Sequence, residues 1–318
     1  MDAGDSLSWL ATPRSQLRAA RDADRLPHAV LLLGPPGIGK LELARWLASL
    51  VLCTAPAGPC GGCAGCELFA AGNHPDLTVC GLLEDAASIK VEQIRALIEA
   101  MTLKSYLGGY KVAILSPADR MNTSSFNALL KLLEEPPDQT LLILTTVRLD
   151  AIPVTVASRC QRLPIAVPAP PQALAWLEAR KPGTDWALPL ALAAGVPARA
   201  LVLEEQGVRQ LFDEVAATVA GRSLDVVAAA AHWVEDRPAE RLRCLEQCLV
   251  ALVRSAFGSD PVNNSHRFGL PTSGRLPDIR TLIHLIDATR EALARLEGQL
   301  NLQLMLEALL VRVKSAFT

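Results

Sequence analysis

The sequence predicts an α/β domain, a parallel sheet flanked by helices, followed by an all-helical C-terminal half. Three observations lead there. Short β-branched and leucine-rich runs, AVLLL from Ala29, KVAIL from Lys111 and TLLILTTV from Thr140, alternate with segments of helical period. The first run passes into the glycine-rich GPPGIGK, Gly34 to Lys40, and then into a helical pattern. After about Ile165 the proline-rich VPAPPQ opens a stretch in which no further strand-like run appears.

Taken in order, the helix after the glycine-rich turn covers about Leu41 to Leu52. A second carries Val91, Ile94, Ile98 and Met101 on one face, and a third carries Phe126, Leu129, Leu130 and Leu133 before Pro136-Pro137 ends it. These stripes are the spacing of core packing. Residues 166–208 form a small helical unit and 209–318 a larger bundle, with AERLRCLEQCLVALVRSAF and REALARLEGQLNLQLMLEALLVRVKSAF as helices. The polar stretch from Gly258 to Asp278 is a loop or link between two of them. The domain division is therefore 1–165, 166–208 and 209–318. A chain of 318 residues, half of them apolar, accommodates it at about 100–200 residues per domain.

Charge and ends narrow the class. A formal net charge of −2 argues against a basic sheath around nucleic acid, so any DNA contact is minor or shared. The first residues, MDAGDSLSWLATPRSQ, lack the basic segment and apolar run of a secretory signal, and no apolar run approaches the ~20 residues of a membrane span. A cytoplasmic protein is expected, with its eight cysteines as thiols or metal ligands.

Strand, GPPGIGK, helix is the arrangement in which backbone N–H groups and a helix N-terminus wrap a polyphosphate. Gly34, Gly37, Gly39 and Lys40 make the cradle, with Lys40 reaching the outer phosphates. Hydrolysis needs more. The hydroxyl that would hold Mg²⁺ is replaced by Leu41, and the strand KVAIL is followed by Ser116 and Pro117 where an acidic pair would hold the metal and orient water. Asp119 falls three positions late, where it would cap the next turn. Three metal- or water-handling groups are missing together, so no intrinsic ATPase is expected, while ATP binding without hydrolysis stays open.

Cys53-TAPAGP-Cys60-GG-Cys63-AG-Cys66 carries three cysteines at two-residue spacing and a fourth upstream, with turn-forming glycines between them. Four thiolates fill a tetrahedral Zn²⁺ shell and leave no position for water, so the expected site is structural. His74 is read as a turn residue before Pro75, and Cys80, Cys160, Cys244 and Cys248 as core thiols.

The stretch Ser124 to Cys160, SSFNALLKLLEEPPDQTLLILTTVRLDAIPVTVASRC, together with RLPHAVLLLGPPGIGK and the cysteine cluster, resembles the clamp-loader subunits of bacterial DNA polymerase III, within the AAA+ family. Lacking the hydroxyl and acidic pair of the gamma and tau ATPases, it looks like the delta-prime branch. The match is specific in motif from about Leu26 to Cys160; the rest corresponds by order and length. The resemblance implies an AAA+ P-loop domain with a zinc module, a helical lid domain and a helical collar domain that assembles a five-membered ring with gamma/tau and delta. It further implies a place in the polymerase holoenzyme, and a role in loading the sliding clamp onto primed DNA.

By the same resemblance Arg159, within Ser158-Arg159-Cys160, is the arginine finger that reaches the ATP site of the neighbouring subunit. The lid segment Gly195 to Arg199 departs from the gamma-like pattern, with Ala198 where a sensor arginine would stand. Two other readings keep their place. One is an active gamma/tau-like ATPase using displaced ligands such as Asp119 or Glu134; the other is a DNA-reading cysteine module, which the lack of interleaved basic and aromatic residues disfavours.

Overall fold

The structure, a computed structural model, describes residues 7–83, 86–220, 225–256, 277–296 and 301–317. It divides into two compact units, Met1–Arg180 and Lys181–Thr318. The first contains α1 (Ala11–Asp22), β1 (Ala29–Leu33), α2 (Lys40–Leu52), α3 (Ala64–Ala70), β2 (Leu77–Cys80), α4 (Val91–Thr102), β3 (Lys111–Leu115), α5 (Thr123–Glu134), β4 (Thr140–Thr146), α6 (Val154–Ala157), β5 (Gln161–Pro164) and α7 (Pro170–Arg180).

All five strands run parallel in the order β2-β3-β4-β1-β5. The three strands visible as apolar runs are the central ones, buried on both faces as a parallel sheet requires. Successive side chains alternate faces. Ala29, Leu31, Ala113, Leu115, Leu142 and Leu144 meet Ile94, Leu97 and Met101 of α4 and Phe126, Leu129, Leu132 and Leu133 of α5 in one core. Leu43, Leu47 and Leu50 of α2 are fully buried, and α2 packs on β1, β3 and β4. The two strands that apolar runs do not reveal, LTVC and QRLP, are the sheet edges, short and partly exposed. The stripe read on α4 shifts slightly: Leu97 is buried and Ile98 lies at its margin.

The second unit is helical: α8 (Ala187–Leu192), α9 (Pro197–Glu205), α10 (Val208–Ala220), α11 (Val226–Glu235), α12 (Pro238–Ala256), α13 (Ile279–Arg295) and α14 (Leu302–Phe317). The helix α12 packs against α8, α10, α11 and α13, and α14 closes on α11 and α13. Phe212, Trp233, Leu242, Leu245, Leu282 and Leu310 form the interior together with Cys244 and Cys248. Burial pushes the Cys244 thiol up to about 12, which keeps it inert.

The helix read continuously from Arg290 to Phe317 is two helices. The first ends at Arg295 and the second begins at Leu302, where Asn301 caps it by accepting the Leu304 N–H at 3.0 Å. The loop expected over Gly258 to Asp278 lies outside the described residues except for Pro277 and Asp278. Asp278 caps α13 through the Thr281 N–H at 2.9 Å. No described helix is long and apolar enough to cross a membrane.

Candidate functional site

The glycine-rich turn leaves the C-terminal end of β1 in the middle of the sheet, where β4 and β5 flank the strand. This is where parallel sheets place ligands. Gly37 and Gly39 hold φ of +78° and +97°, which a side chain resists. A Cβ on Gly39 would also stand 2.3 Å from Leu7 Cδ1. The loop is braced from behind by a short turn over Ser8–Leu10: Leu10 is fully buried, and the Trp9 indole N–H donates to Ile38 O at 2.8 Å. Nothing in the spacing of residues 7–10 announced this brace, because the contact spans 29 positions.

The Lys40 ammonium donates to Gly34 O at 2.7 Å and Pro35 O at 2.9 Å, so it closes the loop on itself. Burial lowers its pKa, and the negative charges of Asp119 and Glu42 pull it partly back. At the end of β3, Ser116 stands at the first acidic position, its hydroxyl oxygen accepting from Thr145 Oγ1 at 2.7 Å. Asp119 does not cap the turn it opens, whose cap residue is Pro117 without a side-chain bond. Its Oδ1 accepts the Val147 N–H at 3.3 Å instead, tying the end of β4 to that turn. The extended backbone leaving β4 brings this N–H within reach and outcompetes the local cap.

Arg159 lies at the N-terminal end of the strands, the end opposite the glycine-rich loop. It follows α6 and precedes β5, which begins opposite Val30, whereas the phosphate loop begins at Gly34. Four strand residues separate those levels, about 13 Å along β1. The guanidinium Nη2 pairs with Glu134 Oε1 at 2.7 Å, and Nη1 donates to Thr155 O at 2.8 Å. Both partners of the ion pair are partly exposed, Arg159 at 37% and Glu134 at 49%. Glu134 is thus committed to Arg159 at the far end of the strands and does not face the loop as a displaced metal ligand. Cys160 turns into the core, where burial pushes its thiol up to about 11. In the second unit Arg199 lies near Glu240 and Arg243 of α12, its pKa lowered by burial.

The four cysteines converge. The Sγ atoms of Cys53, Cys60, Cys63 and Cys66 all lie within 4.8 Å of one another. Cys60 to Cys66 is 4.0 Å and Cys63 to Cys53 is 3.9 Å. Ligands about 2.3 Å from a tetrahedral zinc stand roughly 3.8 Å apart, so the donor set fits that ion. Backbone N–H groups aim at the sulfurs, from Ala55 and Cys60 to Cys53 and from Cys66 to Cys63, each at 3.4 Å. Hydrogen bonding by Thr54 holds the Cys63 thiol down to about 5, while desolvation pushes Cys66 up to about 12. Neighbouring thiols divided in this way share charge poorly unless a cation compensates them.

The module is fixed to α1. Arg18 Nη1 donates to Gly58 O at 2.9 Å, and Arg21 Nη2 donates to Pro56 O at 2.5 Å. A Cβ on Gly58 would stand 2.6 Å from Cys53 Sγ. The candidate groups therefore occupy three places: the loop, the opposite end of the strands and the cysteine module.

The family model described as "DNA polymerase III, delta subunit" matches residues 11–169. The chain is 40% identical over 188 residues to the DNA polymerase III subunit delta' of Pseudomonas aeruginosa, covering 58% of this chain and 57% of that one. It thus spans less than two thirds of that relative. It is 32% identical over 319 residues to the Escherichia coli subunit delta', covering 96% and 94%. It is also 38% identical over 139 residues to the Haemophilus influenzae subunit tau/gamma, covering 43% of this chain and 20% of that one. A solved gamma subunit-related protein of Thermotoga maritima superposes with a TM-score of 0.49 at 16% identity, covering 95% of this chain and all of that one.

Proposed function

This chain belongs to the delta-prime family of DNA polymerase III subunits, and from that premise we propose that it is the non-hydrolysing member of a clamp-loader ring, contributing Arg159 in trans to the ATP site of a neighbouring gamma/tau subunit. The observation that carries the proposal is the separation of Arg159 from the chain's own phosphate loop. A guanidinium at the opposite end of the strands is out of reach of a nucleotide bound in that loop and is available to a molecule packed against that end. An arginine supplied from outside neutralises charge on the transferring phosphoryl group and is worth about 10³–10⁵ in rate.

The chain's own loop lacks the groups for turnover. Leu41 offers no hydroxyl, Ser116 and Pro117 offer no carboxylate, and Lys40 is bonded to loop carbonyls. Without a held Mg²⁺ the largest electrostatic contribution to phosphoryl transfer is lost. Gly34, Gly37, Gly39 and Lys40 still form a cradle that a nucleotide enters by drawing Lys40 off those carbonyls. Cys53, Cys60, Cys63 and Cys66 hold a structural zinc, which when bound cross-links the module without taking part in the reaction. The AAA+ domain (1–165) is followed by the lid (166–208) and the collar (209–318), through which the chain joins gamma/tau and delta; sliding clamp and primed DNA are met through the complex, in the cytoplasm.

The test is nucleotide titration of the isolated chain with and without Mg²⁺. Affinity that does not depend on the metal, with no turnover, is expected. One observation favours a second reading, an active ATPase with a displaced ligand: the charge of Asp119 acts on Lys40. Magnesium-dependent hydrolysis by the isolated chain that disappears in Asp119→Asn would establish that reading in place of the first.

A further inference from the structure

Next to the cysteine module is a buried donor without an acceptor. His74 links α3 to β2, and only 5% of it is exposed. Its Nδ1 accepts the Asp76 N–H at 3.1 Å. That acceptor role leaves the ring proton of neutral histidine on Nε2. Asp76 is itself anchored, accepting from the N–H groups of Tyr106 and Leu107 at 2.8 and 3.1 Å and from Ser105 Oγ at 3.0 Å. The ring is therefore held by β2 and by the 105–107 turn, whatever happens in the module.

Nε2 is buried with no hydrogen-bond partner. It faces Gly65, the residue before Cys66 in the Cys63-Ala64-Gly65-Cys66 turn, since a Cβ placed on Gly65 would lie 3.5 Å from it. Burial lowers the His74 pKa, against the opposing charges of Asp76 and then Cys63. A buried N–H without an acceptor is unfavourable and calls for a partner.

We propose that His74 is a positioning residue of the metal module, its Nε2–H donating to a thiolate sulfur of the Cys63–Cys66 turn when a divalent cation occupies the four-sulfur site. The inference rests on the cysteines being a zinc site and adds a fifth residue to its design. Donors behind metal ligands fix ligand orientation, and their removal costs about 10–100-fold in metal affinity. Gly65 is itself fixed as glycine by the Leu52 carbonyl, 2.4 Å from where its Cβ would stand, so the backbone passes close to the ring.

The experiment uses the full chain and two substitutions that differ in where they put an amide. Glutamine carries its N–H close to the position of Nε2, whereas asparagine reaches only that of Nδ1. Chelator competition is expected to show His74→Asn weakened about 10–100-fold for zinc and His74→Gln close to the unsubstituted chain. The cobalt-loaded Asn variant should also have a displaced thiolate-to-metal absorption band. If both variants bind zinc as the parent does, or both lose it equally, the proposal is overturned.

A measurement on the parent chain keeps the test decisive should a variant fail to fold. Loading with a spin-active cadmium isotope should slow exchange of the His74 imidazole N–H and couple its proton to the metal nucleus. No coupling overturns the proposal. Failure of the parent to take up zinc at all would instead overturn the underlying metal reading, and this inference with it.

Discussion

Replacing Arg159 by alanine separates a role in another subunit from a role in this one. The side chain makes one ion pair, at 2.7 Å to Glu134, and one bond to a backbone carbonyl, at 2.8 Å to Thr155. With the two partners 37% and 49% exposed, the pair is worth about 0.2–1 kcal/mol and the backbone bond about 0.5–1.5 kcal/mol. The whole loss is then roughly 1–2 kcal/mol, a few degrees in melting temperature for a chain of this size. Hydrolysis at the adjoining gamma/tau site of the reconstituted complex, on primed DNA with the clamp, should fall by about 10³-fold or more, with ring assembly unchanged. Glu134→Ala removes the same ion pair and serves as control, because it should cost comparable stability and leave turnover largely in place. Nucleotide titration of the isolated Arg159→Ala chain should match the parent, the residue being at the other end of the strands. A complex that hydrolyses ATP at its normal rate with Arg159→Ala would refute the reasoning.

Three further outcomes follow from the geometry. Gly58→Ala sets a methyl group 2.6 Å from Cys53 Sγ, so zinc measured by atomic absorption should fall well below one equivalent while circular dichroism retains the helical signal. For Gly39→Ala, the positive φ of +97° and the 2.3 Å approach to Leu7 Cδ1 should together cost about 1–3 kcal/mol in urea unfolding; an unchanged midpoint would contradict the bracing described for the loop. Although burial pushes the Asp76 carboxyl up, the N–H groups of Tyr106 and Leu107, the Ser105 hydroxyl and Lys111 hold it below its ordinary value. Its stabilisation is therefore complete above the unfolded pKa, about 3.9, and is lost as pH falls through the lower folded value. Asp76→Asn should destabilise by about 1–3 kcal/mol at neutral pH, and the gap to the parent should close below about pH 4; a gap independent of pH would argue against the charged form.

The sheet was legible where its strands are buried on both faces, because continuous runs such as AVLLL and KVAIL need no neighbour to declare themselves. LTVC and QRLP were not, since an edge strand is defined by the strand it pairs with and carries mixed polarity of its own. The cysteine module was legible for a similar reason: its ligands lie within 14 consecutive residues, so spacing alone brings the thiols together. What escaped was long-range. Trp9 bonding Ile38, Asp119 reaching the end of β4 and Glu134 pairing with Arg159 each depend on the fold bringing distant segments together. His74 reads as a turn residue because its neighbour Pro75 is visible in the sequence, whereas the approach of its ring to Gly65 nine positions earlier is not.

The turn ahead of the first helix has a practical meaning. Leu7, Trp9 and Leu10 underpin the glycine-rich loop, yet they precede the portion recognised by the family model, which starts at residue 11. A shortened gene product cut to that homology boundary would carry every signature residue and still lose the floor beneath its own glycine-rich loop.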